Sequence, residues 1–127
     1  MASLKTKGQI EDEISKAFIK FEQEYMGRGP KEVKAFIIQD MILIRLKGVL
    51  TLAEQQLAKT QEGKLLTKQV RVRLLEDAKD LLAQIIKEIT GSKVISMHTD
   101  ISTSAGERMI IFTVSDNLEI KFSPSNK

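Results

Sequence analysis

Residues 32–47 read EVKAFIIQDMILIRLK and contain two apolar runs that are separated by the polar pair Gln39-Asp40. Both runs are rich in Ile, Leu, Val and Phe, which are favoured in strands. Two such runs joined by a short polar pair are typical of a β-hairpin. The second run is apolar on both faces until Arg45. This pattern predicts an interior position in a sheet, or a strand that is covered on both sides.

Helical patterns flank this hairpin. Residues 9–26 carry apolar side chains three and four positions apart, which predicts an amphipathic helix that ends at the following Gly-Arg-Gly-Pro segment. Thr51 and Glu54 have the spacing of a capping box, so a short helix is predicted to begin there. A long helix is predicted from residue 63 to residue 90. Its predicted main apolar stripe consists of Leu66, Val70, Leu74, Ala78, Leu81, Ile85 and Ile89.

Two further strands are predicted at residues 93–102 and 108–114, and residues 118–122 are predicted to add a short last strand. The predicted order is α-β-β-α-α-β-β. We therefore expect an α+β fold, in which helices cover one face of an antiparallel sheet of four or five strands. The length of 127 residues predicts a single domain over 1–127, with an ordered core at about 8–122 and loose ends at 1–7 and 123–127.

Composition limits the classes of function. The chain has no cysteine, which excludes disulfides, thiolate nucleophiles and cysteine-ligated metal sites. The net charge is +3, but acidic and basic residues are interleaved and aromatic residues are only 5% of the chain, so nucleic-acid binding is not expected. No apolar stretch approaches the roughly 18 residues of a spanning helix, and the first residues lack the apolar core of a signal peptide. A cytoplasmic location is therefore expected.

His98 is the single histidine of the chain and lies in the predicted third strand. Alternation along that strand puts Ser96, His98, Asp100 and Ser102 on one face. The other face, which is predicted to point to the core, carries Ile95, Met97, Thr99 and Ile101. One interpretation makes His98 and Asp100 a pair that handles a proton or binds a ligand, because a nearby carboxylate favours imidazolium. The other interpretation is a half-exposed strand with an ordinary polar side. No cluster with metal-ligand spacing is recognised, so neither a metal nor a cofactor is expected.

Two arginines are further candidates for binding. Arg28 lies between Gly27 and Gly29 and offers a planar donor fork to an anion, although this segment is also a plausible helix-to-strand connector. Arg45 interrupts an apolar strand, and it either reaches an acidic partner or a ligand, or it marks where the strand meets solvent.

The remaining charge patterns favour surface roles. The predicted long helix carries Lys64, Lys68 and Arg71 on one face, and this modest basic stripe is interpreted as a solvated surface. No serine lies in an elbow-like Gly-x-Ser-x-Gly context, and cysteine is absent, so no catalytic set is recognised.

Three stretches carry a family resemblance: EYMGRGPKEVKAFIIQDMILIRLKGVLTLAEQQLAKT (24–60), VRVRLLEDAKDLLAQIIKEITG (70–91) and VISMHTDISTSAGERMIIFTV (94–114). In these, and over roughly residues 8–119, the chain resembles the MpsC-like family of small bacterial proteins. That family is named for a sodium-translocating, membrane-potential-generating system that is also tied to bicarbonate supply. The resemblance implies a non-enzymatic cytosolic accessory or regulatory subunit that docks on integral membrane partners.

The candidate residues for contacting a ligand or partner lie within the resembling stretches. They are Arg28, Arg45, His98, Thr99 and Asp100. The alternative function is a small-anion or nucleotide-binding sensor. An enzyme that uses His98 and Asp100 as acid and base is a weaker alternative. A homodimer is also expected, because the helix end at residues 81–89 and the two-sided strand at 41–44 offer more apolar surface than one thin layer covers.

Overall fold

The computed structural model describes residues 5–27 and 29–123 of the chain. Arg28 and parts of both expected loose ends, residues 1–4 and 124–127, lie outside the described residues. The elements in chain order are α1 (Lys7–Tyr25), β1 (Glu32–Ile38), β2 (Met41–Lys47), α2 (Leu52–Leu57), α3 (Gln61–Asp77), α4 (Lys79–Thr90), β3 (Val94–Ser102), β4 (Glu107–Val114) and α5 (Leu118–Lys121). No helix among the described residues is long and apolar enough to cross a membrane.

The four strands form one antiparallel sheet in the order β1-β2-β4-β3. The predicted hairpin of β1 and β2 is confirmed, with Gln39 at its turn in a left-handed conformation (φ 57°). β2 lies in the interior of the sheet, as its apolar pattern predicts. The predicted α+β class, with an antiparallel sheet, is therefore confirmed.

Burial alternates along β1, β2 and β4, so one face of the sheet carries the core. Side chains of α1 and α4 pack on this face, around residues such as Ile44 and Phe112. Among the helices that the structure describes, none covers the opposite face. Register aligns Phe36, Leu43, Ile111 and His98 in one row across it.

The outer edge of β1 is occupied by side chains. Glu11 accepts a hydrogen bond from the Ile37 amide (2.8 Å), and the Ser15 hydroxyl accepts one from the Ala35 amide (3.1 Å). An edge strand whose amides already have partners cannot readily pair with another chain. Helix α1 thus closes this edge of the sheet.

The predicted long helix is interrupted. It divides at Ala78 into α3 and α4, and Gly91 ends α4 in a left-handed conformation (φ 74°), as expected of a helix stop. The predicted apolar stripe is wrong in α3. There the buried side chains are Thr67, Arg71 and Leu75, while Leu66, Val70 and Leu74 are exposed.

Two smaller predictions also differ from the structure. The segment predicted as a last strand forms α5, because the Asn117 side chain accepts hydrogen bonds from the amides of Glu119 and Ile120 and so caps a helix. Ile95, predicted to face the core, is exposed, because a bulge between Val94 and Ser96 shifts the register there.

Candidate functional site

Four charged side chains from four different elements meet between the helices and the sheet. They are Glu22 of α1, Glu54 of α2, Arg71 of α3 and Arg108 of β4, and together they form the charge cluster. Glu22, Arg71 and Arg108 are only 0%, 3% and 1% exposed. Burying a charge is costly unless it is paired, so this arrangement must be held by the whole fold.

Arg71 is the best-connected member of the charge cluster. Its Nε and Nη2 atoms donate to both carboxylate oxygens of Glu54 at 2.8 and 2.6 Å, which is the bidentate geometry of a strong ion pair. Nη2 also donates to the Val49 carbonyl (2.7 Å). Nη1 lies 3.8 Å from Glu22. One guanidinium therefore ties α3 to α2, to α1 and to the segment that follows β2.

Glu54 serves two purposes at once. Its carboxylate accepts the Thr51 amide (2.8 Å) and so completes the predicted capping box, which is confirmed. Burial acts to raise the pKa of Glu54, but hydrogen bonds from the Arg71 side chain and the Thr51 backbone outweigh it and hold that pKa below its usual value. Glu54 is therefore the fixed negative charge of the cluster.

Glu22 and Arg108 are charges without hydrogen bonds. Within the described residues, no partner is found for either carboxylate oxygen of Glu22 or for any guanidinium nitrogen of Arg108. Burial raises the pKa of Glu22, although Arg108 and Arg71 oppose this rise. Burial also lowers the pKa of Arg108 to about 10, so the guanidinium is still cationic at neutral pH. Glu22 is therefore held by its ion pair with Arg71 and by attraction to Arg108, and Arg108 by attraction to the two carboxylates, without hydrogen bonds to either group.

An open cleft of about 1080 Å³ lies beside this cluster. Its walls come from the segment between β2 and α2, from α2 and the start of α3, and from the turn between β3 and β4. Lys31, Lys59 and Lys64 line it, and none of the described residues that line it is acidic. We call it the lysine cleft.

The lysine cleft and the charge cluster share stretches of chain. Leu50 lines the cleft and directly follows Val49, whose carbonyl binds Arg71. Gly106 lines it two residues before Arg108. A displacement of either wall would therefore shift Arg108 or the carbonyl group that binds Arg71.

The residues predicted from sequence lie elsewhere. Arg45 is on the uncovered face of the sheet and pairs with Glu107. His98 is exposed on the same face, where its Nε2 lies 3.2 Å from the Ser96 hydroxyl. The two are not neighbours, since Ile111 and Met109 of β4 stand between β3 and β2.

Thr99 and Asp100 have separate local contacts. The Thr99 hydroxyl donates to the Met109 carbonyl (3.0 Å), on the side of β3 that faces the helices. The Asp100 carboxylate accepts the Ile101 amide (2.8 Å) and lies 3.5 Å from Lys68. No hydrogen bond joins His98 to Asp100. The predicted pair shares a strand face, but its members do not touch.

The charge cluster was missed by sequence reasoning, although signals for it existed. Arg71 was assigned to a solvated basic stripe, and this is wrong, because Glu22 and Glu54 lie beside it. Glu22 follows Ile14 and Phe18 at steps of four, so helical spacing puts it on the buried face of α1. Arg108 has the same strand parity as Ile110 and Phe112, which are core residues.

Comparison with known proteins gives a family match. A family model described as "Na+-translocating membrane potential-generating system (MpsC)" matches residues 6–116. Uncharacterized protein YbcI of Bacillus subtilis (strain 168) is 47% identical over 115 residues, which cover 91% of this chain and 93% of the relative. Uncharacterized protein YrhF of the same organism is 26% identical over 94 residues, covering 73% of this chain and 77% of the relative. No solved structure is significantly similar.

We predict that Arg71→Met costs about 3–5 kcal/mol in the free energy of unfolding, because it leaves the buried charge of Glu22 and the Glu54 carboxylate without their common partner. Arg73→Met is the matched control, since Arg73 is exposed on the same helix. It should change the free energy by less than about 0.5 kcal/mol. Urea unfolding of both variants measures this, and equal effects would contradict the role given to Arg71.

Proposed function

Because the chain belongs to the MpsC family, we propose that it is a cytosolic accessory subunit that docks on integral membrane subunits of the Na+-translocating, membrane-potential-generating system. Family membership implies a role in that system. In this role, the chain contacts its partners from the inner face of the membrane and regulates them without a catalytic step of its own.

The observation that carries this proposal is an apolar stripe on the outside of α3. Leu66, Val70 and Leu74 are four residues apart and are 46%, 53% and 36% exposed. Residues at this spacing are neighbours on a helix surface. The fold keeps them outside because the adjacent side of α3, about 100° around the helix, is turned inward and carries Arg71 of the charge cluster. A row of exposed apolar side chains on a helix is typical of a protein-binding surface.

A groove between α1 and α4 offers a second apolar surface on the helical side. It has a volume of about 470 Å³, and Phe21, Tyr25, Leu81, Ile85 and Ile89 line it. Lys20, Glu24 and Glu88 stand at the same groove. An apolar floor with charged residues beside it suits an amphipathic helix of a partner. We therefore assign the partner contact to the helical side of the molecule.

We predict that Val70→Glu lowers binding to membranes that contain the integral subunits by about tenfold or more, because a charge in the stripe must be desolvated on docking. Ile120→Glu is the matched control, since Ile120 is 59% exposed but lies outside the stripe. Co-sedimentation of the purified chain with such membranes measures binding. Membranes from a strain that lacks those subunits give the background.

Two outcomes would contradict this proposal. Equal binding to both kinds of membrane would remove the integral subunits as partners. Full binding by Val70→Glu would remove the stripe as the contact surface.

A second function is favoured by the lysine cleft. Three lysines line it without an acidic residue among the described lining, and Thr51, Thr103 and Ser104 add hydroxyl groups to its walls. A volume of about 1080 Å³ is large enough for a nucleotide. The alternative is therefore a sensor that binds a phosphate-bearing or other small anion. His98 lies outside this cleft, so the anion site differs from the one anticipated at His98.

If the cleft binds an anion, the double variant Lys59→Gln, Lys64→Gln should weaken ATP binding by about tenfold, because two cationic partners are lost. Lys16→Gln is the control, as Lys16 is an exposed lysine of α1. Isothermal calorimetry with ATP, phosphate and bicarbonate as separate probes tests this. Absence of binding at millimolar concentration would remove the sensor function and leave the docking proposal intact.

The expected homodimer also belongs to this proposal. Exposed apolar side chains such as Phe36 and Ile38 favour association of two copies without specifying the surface that they share. Arg28 and Arg45 stay candidates for contact with a partner or an anion, with Arg45 already paired to Glu107.

A further inference from the structure

We propose that two copies of the chain join edge to edge along β3, with a two-fold axis at Thr99, to form one continuous antiparallel sheet. This inference rests on the homodimer proposed above and names its surface. Three observations support it: the hydrogen-bond partners of the amides at the two sheet edges, the side to which the β3 amide and carbonyl groups point, and the sequence of β3.

The two edges of the sheet differ. The β1 edge is closed by Glu11 and Ser15 of α1, which accept its outward amides. On the β3 edge, the corresponding contact comes from the strand itself, where the Asp100 carboxylate accepts the Ile101 amide. Within the described residues, no helix side chain accepts a hydrogen bond from a backbone amide of β3. An unprotected edge is the usual place for another strand to add.

The hydrogen bonds of β4 show which β3 groups face outward. The Val114 amide donates to the Asp40 carbonyl on the β2 side (2.9 Å), so even-numbered residues of β4 face β2. Met109 therefore faces β3, where it pairs with Asp100. By alternation, the amide and carbonyl groups of Met97, Thr99 and Ile101 point away from the sheet.

There is space beside this edge. A groove of about 510 Å³ runs between the helices and β3. Val72, Glu76 and Lys79 line its helical side, and residues 97–99 line its strand side. The core-facing side chains of an added strand would enter this groove beneath α3.

The sequence of β3 is self-complementary about Thr99. With the axis there, His98 lies opposite Asp100 of the second copy, and Asp100 lies opposite His98, so each imidazole faces a carboxylate with which it can form a hydrogen bond. Met97 lies opposite Ile101 in the same arrangement, and Ser96 opposite Ser102. The polar row that the sequence placed on one strand face thus acquires a partner for each member.

Other registers lack this match. An axis at Met97 would place His98 opposite Ser96, and an axis at Ile101 would place Asp100 opposite Ser102. An axis at His98 is excluded by direction, since its backbone groups face β4. Of the residues whose backbone faces outward, Thr99 is the one that aligns His98 with Asp100.

The new seam would be built from backbone hydrogen bonds. The Thr99 pair exchanges both of its amide-to-carbonyl bonds, and so does each pairing of Met97 with Ile101. For this, Asp100 must release the Ile101 amide and turn to His98 of the second copy. Lys68, Glu76 and Lys79 are the other charged groups near these residues, and Lys68 already lies 3.5 Å from Asp100.

The first test is the mass of the purified chain in solution at micromolar concentration, measured by light scattering. The wild type should be a dimer. Thr99→Pro should be a monomer, because proline removes an outward amide and leaves the pairing of β3 with β4 intact. Thr99→Val is the matched control and should stay dimeric, since it loses only the hydroxyl bond to Met109. Circular dichroism verifies that each variant is folded.

The second test exchanges the charges. Asp100→Lys should raise the dimer dissociation constant by about tenfold or more, because it removes the carboxylate that faces His98 and leaves two hydrogen-bond donors opposite each other. The double variant His98→Asp, Asp100→Lys places a carboxylate opposite an ammonium group at both positions and should recover dimerisation. Failure of this recovery would overturn the register.

The possible results distinguish the β3 seam from the homodimer itself. A monomeric wild type would overturn both the homodimer and its surface. A dimer that persists in folded Thr99→Pro would overturn the β3 seam, while the homodimer would stand on another surface.

Discussion

The ion pair between Arg71 and Glu54 fixes the orientation of α3. It holds α3 against α2 through two hydrogen bonds and against the chain after β2 through the Val49 carbonyl. Around it, Glu22 and Arg108 bring opposite charges from α1 and β4 into a region that is almost closed to solvent. Burying charged side chains is unfavourable in free energy unless they are paired, so the members of this cluster are held in place only while all four elements are assembled.

The burial of Arg71 explains which side chains of α3 are exposed. Because one side of α3 carries Arg71 into the interior, the leucines and valine on the adjacent side face solvent. The same chain segments that hold the cluster also form the walls of the lysine cleft. The apolar stripe on α3, the lysine cleft and the open β3 edge are formed by different residues, so a substitution in one of them tests one proposal at a time.

Sequence patterns predicted the fold well where apolar alternation decided it. The hairpin of β1 and β2, the capping box at Thr51 and the stop at Gly91 each depend on local chemistry that the sequence displays. The orientation of α3 could not be predicted this way, since helical spacing favours burial of Leu66, Val70 and Leu74. Burial of Arg71 becomes favourable only when Glu22 and Glu54, 49 and 17 positions away in the chain, supply the opposite charges.

The most direct test of this account is a measurement of the pKa of the Glu22 carboxyl group, in which carbon-13 NMR follows the signal of that group as the pH is changed. Burial without a hydrogen-bond partner predicts a pKa above the ordinary value of 4.5. A group whose pKa is raised on folding binds more protons in the native state, so its contribution to stability is present at low pH and is lost as pH rises through the folded pKa. A Glu22 that titrates at or below 4.5 would show a carboxylate that is solvated or hydrogen-bonded, and would contradict its burial without a hydrogen-bond partner.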